Sequence, residues 1–125
     1  MSTMQRRRTR LGRLGESEAA HLYRRRGAEV LARNVAYPVG ELDLICREPD
    51  GTIVFVEVKT RSGRGFGGAE AVTGRKLARL RRAAARWLEG HSQSHVPVRF
   101  DVLVLTSTRH GFDVELHEGV EHGAR

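Results

Sequence analysis

Two apolar runs constrain this chain more than any other feature: GELDLICR at residues 40–47 and TIVFVEVKTR at residues 52–61, with Pro49, Asp50 and Gly51 between them. Their β-branched and aliphatic content predicts strands, and Pro-Asp-Gly is a turn signal, so together they predict an antiparallel hairpin. Side chains alternate along a strand. Ile53, Phe55, Glu57 and Lys59 therefore share one face of the second strand, and Val54, Val56 and Val58 share the other. Both faces are apolar, which marks a central strand. On the first strand Glu41, Asp43, Ile45 and Arg47 oppose Leu42, Leu44 and Cys46. With Pro49, Asp50 and Gly51 as the loop, residue 45 pairs with 55, 43 with 57 and 41 with 59. Asp43 then stands opposite Glu57.

Like charges directly opposed on a sheet repel, and burying either one is costly. A positive group is expected between them. Lys59 is the nearest in register, but one ammonium does not neutralise two or three carboxylates. A divalent cation does, and hard oxygen ligands suit Mg2+ or Mn2+. Glu57 and Asp43 would hold the metal, Lys59 would sit beside a metal-bound water, and Arg61, just past the strand, would reach a phosphate. The spacing also fits a plain ion pair on one strand face, and a turn of another length would move Asp43 to a diagonal position. Both readings stay open on spacing alone.

Charge usage sharpens the choice. Lys and Arg total 22 against 15 Asp and Glu, a formal net charge of +7 that attracts polyanions. Of those 22 cations only Lys59 and Lys76 are lysines. Cys46 is the lone cysteine, which excludes an intrachain disulfide and a cysteine-based zinc site and makes the cytosol the simplest location. No run approaches the ~18 to 20 apolar residues of a membrane span. The segment 1–14 carries five arginines and no acid, and it is expected to be a flexible basic arm. At 125 residues and 39% apolar content the chain suits a single domain, expected over 15–118 with a disordered tail at 119–125.

Beyond the hairpin, helical spacing predicts a first helix over 17–26, with Ala19, Leu22 and Tyr23 on its apolar face and Glu18 at the edge of that face. A strand is expected over 28–37. After the glycine-rich SGRGFGG at 62–68, a second helix is expected over 73–89. Leu77, Leu80, Ala84, Trp87 and Leu88 form its buried stripe, and Arg75, Arg79, Arg82 and Arg86 line the opposite face. Four arginines at that spacing match a phosphate backbone, or are simply a solvated face. VRFDVLVLT at 98–106 predicts a buried strand and GFDVELH at 111–117 an edge strand. Asp101 falls in the buried strand, where a structural bond with Arg99 is expected rather than catalysis.

Asp43, thirteen residues, then Glu57-Val58-Lys59 resembles the PD-(D/E)xK nuclease signature. The wider set of GE..A at Gly15 to Ala19, GELDLI at 40–45, FVEVKTR at 55–61, AVT..K at 71–76 and RFDV at 99–102 resembles the YraN-type family, which is similar to archaeal Holliday-junction resolvases. The resemblance implies an α/β, restriction-endonuclease-like fold with a central mixed sheet of about five strands flanked by helices. It implies Asp43 and Glu57 as metal-binding acids and Lys59 as the catalytic lysine, with Glu18 as the acid from the first helix. Leu-Asp stands where the signature has Pro-Asp, which leaves the acid intact. Glu41 is a secondary candidate, as a ligand, an outer base or the partner of Lys59.

The expected activity is an Mg2+- or Mn2+-dependent endonuclease hydrolysing phosphodiester bonds in DNA, with branched or repair intermediates as candidate substrates. The alternative is a nucleic-acid-binding module that keeps the fold and cleaves little or not at all. Nucleic acid is the expected partner. Neither a membrane nor a small-molecule cofactor is expected, and a homodimer is left open.

Overall fold

A computed structural model describes residues 9–63, 74–91 and 95–120. Residues 1–8 of the expected basic arm, residues 64–73 in and after the glycine-rich loop, and the tail from 121 lie outside the described residues. The elements run α1 (Arg10–Arg25), β1 (Glu29–Tyr37), β2 (Gly40–Arg47), β3 (Ile53–Ser62), α2 (Gly74–Gly90), β4 (Val98–Thr108) and β5 (Gly111–His117). The strands form one five-stranded sheet in the order β1-β2-β3-β4-β5. Only β3 and β4 pair in parallel, and the connection between them carries α2, as a parallel pair requires a crossover. This is the central five-stranded mixed sheet flanked by helices that the sequence led us to expect.

The alternation read from the sequence decides the layering. Val54 and Val56 of β3 pack with Leu44, Cys46, Leu103 and Leu105 beneath Ala19, Ala20 and Tyr23 of α1. Ile53 and Phe55 pack with Ile45 and Phe100 beneath Leu77, Leu80, Ala83, Ala84 and Trp87 of α2. Each helix thus covers one face of the sheet. The α1 backbone comes close to the sheet at Gly15, where an added Cβ would overlap the Thr60 side chain. On the other face Phe55 meets the edge of Trp87 at 6.0 Å and stacks on Phe100 at 5.5 Å, which sets the azimuth of α2.

The β2–β3 register is the one the turn predicted, with Ile45 opposite Phe55 and Arg47 opposite Ile53. Gly51 adopts a φ of 96°, and the Gly51 N–H donates to the Glu48 carbonyl at 2.9 Å, closing the turn.

Two boundaries differ from expectation. Helix α1 begins at Arg10, not Ser17, because Thr9 caps it: the Thr9 hydroxyl accepts the Gly12 N–H at 2.9 Å. Residues 10–14 of the expected flexible arm are therefore helical. At the other end Gly119 N–H donates to Asp101 Oδ1 at 3.1 Å and Val120 packs against the α2-side cluster, so the expected disordered tail starts with two tethered residues.

Candidate active site

Asp43 lies where the sheet loses its regular pairing. The β2–β3 ladder runs from Arg47–Ile53 to Leu44–Val56. At the next position the Val58 N–H donates to Asp43 Oδ2 at 2.9 Å, so a side chain replaces a ladder acceptor. On the opposite side of β2, the β1–β2 register brackets Asp43 with Arg33–Leu44 and Val35–Leu42, which places Asn34 across from it. Asn34 has a φ of 54°, a left-handed conformation inside a strand. The alternation of β2 shifts here: Leu44 packs on the α1 side, while Leu42 and Ile45 both pack on the α2 side. The irregularity swings Asp43 toward β3.

Glu57 is one of two buried charged residues among those described, at 8% exposure. Phe55 on its face packs under α2, and α2 supplies its closest cation. Lys76 Nζ lies 2.7 Å from Glu57 Oε2, while Lys59 Nζ lies 3.8 Å from the same oxygen. The only two lysines of the chain thus converge on one buried carboxylate. Lys76 was not singled out as a site residue from sequence. Its signal was available, since it is the second exception in a chain that otherwise uses arginine and closes the AVT..K block.

The cluster polarises its members. Burial first, then the Glu57 charge, pushes the Asp43 carboxyl up to about 7, against the Val58 hydrogen bond that favours its ionised form; Glu41 and Glu16 push it further in the same direction. Lys59 is lowered by burial and by the adjacent Lys76 ammonium, with Glu57 and Asp43 opposing. Burial works against Lys76 as well, but its bonds to Glu57 and Lys59 outweigh that and hold it above the usual lysine range. One lysine keeps its proton and the other gives it up more readily, a division suited to acid–base work.

The remaining candidates are placed as follows. Glu41 is half-buried at the start of β2, and its charge bears on Asp43. Glu18 lies 3.9 Å from Arg25 on α1, its side chain one third exposed. The α1 acid whose charge reaches Asp43 is Glu16, two residues earlier, which sits inside the Gly15–Ala19 block. Among the described residues no three His, Cys, Asp or Glu side chains form a group that could hold a metal ion, so the expected set of Glu18, Asp43 and Glu57 is not brought together as one. Arg61 donates from Nε to Thr106 Oγ1 at 3.4 Å, while its Nη1 is buried with no hydrogen-bond partner among the described residues. Arg75, Arg79, Arg82 and Arg86 are all exposed on α2, and the Arg86 guanidinium lies 5.2 Å over the Tyr37 ring.

Asp101 belongs to a separate network. It accepts from the Tyr23 hydroxyl at 2.6 Å and from Arg99 Nε at 2.9 Å, and Arg99 Nη2 also reaches Glu48 Oε2 at 2.9 Å. Arg26 bridges Glu48 at 3.5 Å and Glu118 at 2.7 Å. This network ties α1, the β2–β3 turn, β4 and the segment after β5 together, the structural role expected for Asp101.

Fold and site together define a mixed-sheet α/β domain with an acid on β2, an acid-x-lysine on β3 and a lysine entering from α2. The family model described as uncharacterised protein family UPF0102 matches residues 15–105. The chain belongs to that family. A UPF0102 protein of Corynebacterium efficiens is 54% identical over 118 residues, covering 93% of this chain and 95% of the relative. One from Parafrankia is 52% identical over 103 residues, covering 82% and 86%. Among solved structures, EndoMS in complex with dsDNA aligns with a TM-score of 0.44 at 17% identity over 80% of this chain and 38% of the EndoMS chain. Pyrococcus furiosus SfsA in complex with Ca2+ aligns with a TM-score of 0.34 at 17% identity over 81% of this chain and 58% of the other. At scores this low neither likeness decides fold or function. No helix among the described residues is long and apolar enough to cross a membrane.

Proposed function

We propose that this protein is a metal-dependent nuclease that hydrolyses phosphodiester bonds in DNA. The observation that carries the reading is the convergence on buried Glu57 of both lysines, with Asp43 close enough for the Glu57 charge to raise its pKa. A purely structural core does not gather like charges at the point where two strands part.

The donor set fits Mg2+ or Mn2+. Two hard carboxylates, Asp43 and Glu57, suit a divalent ion that keeps several waters, and the repulsion that raises Asp43 is what a shared cation would relieve. When bound, such an ion supplies Lewis acidity and a more acidic water. The chain supplies the rest. Asp43 is held in place by the Val58 N–H. Lys59, whose ammonium is disfavoured by burial and by Lys76, would in its neutral form accept a proton from the attacking water, or as the ammonium stabilise charge on the phosphoryl oxygens. The exposed arginines of α2 offer a sequence-independent surface for the backbone. Glu16, whose charge bears on Asp43, and Glu18 are the two acids that α1 could add.

A screen with purified protein over branched, duplex and single-stranded DNA and structured RNA, with Mg2+, with Mn2+ and with chelator, tests the reading. Cleavage of DNA that needs a divalent ion and is lost in Glu57→Gln and Asp43→Asn supports it. Binding of DNA without cleavage under any condition would replace it with the second reading, a nucleic-acid-binding module, which the Lys76–Glu57 pair favours by neutralising Glu57 without a metal.

A further inference from the structure

Among the described residues Lys76 is the closest cation to Glu57, nearer by about an ångström than the lysine of the acid-x-lysine motif. It reaches Glu57 from the first turn of α2, with 30% of its side chain exposed, while Glu57 is 8% exposed. An ionised carboxylate buried that deeply is stabilised by a counter-charge. The choice of residue is informative: of 22 cationic residues, two are lysines, and both stand at this oxygen. An ammonium is a compact point charge on a flexible four-carbon stem, whereas a guanidinium forks onto a carboxylate through two planar bonds and is held there. Lys76 can therefore leave Glu57 by rotation of its own stem more readily than a forked arginine could.

Taking Asp43 and Glu57 as the metal ligands of the function proposed above, the oxygen that Lys76 occupies is one that a divalent ion needs. We infer that Lys76 is the resident counter-ion of the metal site, holding Glu57 in the metal-free protein and displaced from it when a divalent ion binds. The displaced ammonium remains beside the site as a positive group for a phosphate of the substrate. Metal affinity is consequently held down in the free protein, and a phosphate that draws Lys76 away strengthens metal binding, with the reciprocal effect required by linkage.

Calorimetric titration of Mn2+ into metal-free wild type, Lys76→Gln, Lys76→Met, Lys59→Met and Glu57→Gln, with thermal melts of each, tests the proposal. Lys76→Gln and Lys76→Met should bind Mn2+ more tightly than wild type, on the order of tenfold, and Lys59→Met should gain much less, because Lys76 contacts the oxygen at 2.7 Å while Lys59 stands 3.8 Å from it. Lys76→Met should also melt lower without metal and recover with Mn2+. Lys76→Gln keeps a hydrogen-bond donor for Glu57 and provides a folded variant if the methionine variant is too unstable. Equal tightening by Lys59→Met would reduce the effect to a general field and overturn the proposal. So would Glu57-dependent Mn2+ binding of the same affinity in wild type and Lys76→Gln, leaving the metal site itself intact. If neither wild type nor the Lys76 variants bind Mn2+ in a Glu57-dependent way, the metal-site reading falls and this proposal falls with it.

Discussion

The Val58 N–H donates to Asp43 Oδ2 at 2.9 Å, so the carboxylate of β2 completes the hydrogen bonding of β3 where the ladder between them stops. This bond separates the two functions of Asp43. Asp43→Ala should destabilise the domain by about 1–3 kcal/mol, the cost of leaving a part-buried N–H unpaired. Asp43→Asn keeps an acceptor and removes the like charge facing Glu57, so it should fold as well as wild type while losing divalent binding. Denaturant melts with calorimetry on both variants check this. An Asn variant as unstable as the Ala variant would contradict it.

The same carboxyl gives a pH signature in the metal-free protein. The Asp43 pKa is raised to about 7 in the folded chain, against about 4 when unfolded. The folded state therefore holds the proton more tightly, and the stability Asp43 contributes is full below about pH 4 and lost as the pH rises through about 7. The difference in melting temperature between wild type and Asp43→Asn, followed with chelator present, should move against wild type over that window and level off above it. A constant difference from acid to neutral pH would refute the assignment.

Lys59 should behave as a chemical group. Lys59→Ala should leave DNA affinity nearly intact while lowering single-turnover cleavage by about 10²-fold or more, about 2.7 kcal/mol of transition-state stabilisation. Lys59→Arg should not rescue it, because a planar, permanently charged guanidinium does not replace an ammonium beside a bound water. Full activity in Lys59→Arg would make Lys59 an ion-pair partner only.

The arginine face of α2 should act without sequence preference. Replacing Arg75 and Arg82 with Gln should weaken DNA binding across sequences and flatten its log–log salt dependence by about one to two units. Arg86 is a poorer choice for this test, since its stacking on Tyr37 mixes surface charge with packing. An unchanged slope would make this face a solvated one.

The Tyr23–Asp101–Arg99 network should be separable from all of these. Asp101→Ala leaves Arg99 and the Tyr23 hydroxyl without their shared acceptor and should cost about 3 kcal/mol of stability. Below its melting temperature that variant should bind divalent ions as wild type does. A loss of Mn2+ affinity in the folded variant would tie the network to the site.

How much of this was legible in the chain follows from which interactions are local. The hairpin register was readable because Pro49, Asp50 and Gly51 set the loop length, and strand alternation then places every side chain on a face. Hence Asp43, Glu57 and Lys59 could be brought to one region in advance, although the alternation fails at Leu42, which packs on the α2 side with Ile45. The α1 start was missed because Thr9 is one polar residue in an arginine-rich stretch, and its capping bond exists only once the helix does. Periodicity also placed Glu18 at an apolar edge, whereas the seating of Gly15 against Thr60 helps decide which face of α1 looks toward the sheet, and Glu16 is the acid that bears on Asp43.

The sequence by itself determined the five strands, the two amphipathic helices and the pair of carboxylates that needs a positive partner. It could not say which cation answers Glu57. Lys76 lies 19 positions further along the chain, on a helix whose rotation over the sheet is set by Trp87 and Phe55, so its distance from Glu57 is a product of packing and not of spacing. Only the tertiary structure decided that, just as only the irregularity at Asn34 and Asp43, a compromise between two strand pairings, decided that the β2 acid turns toward β3.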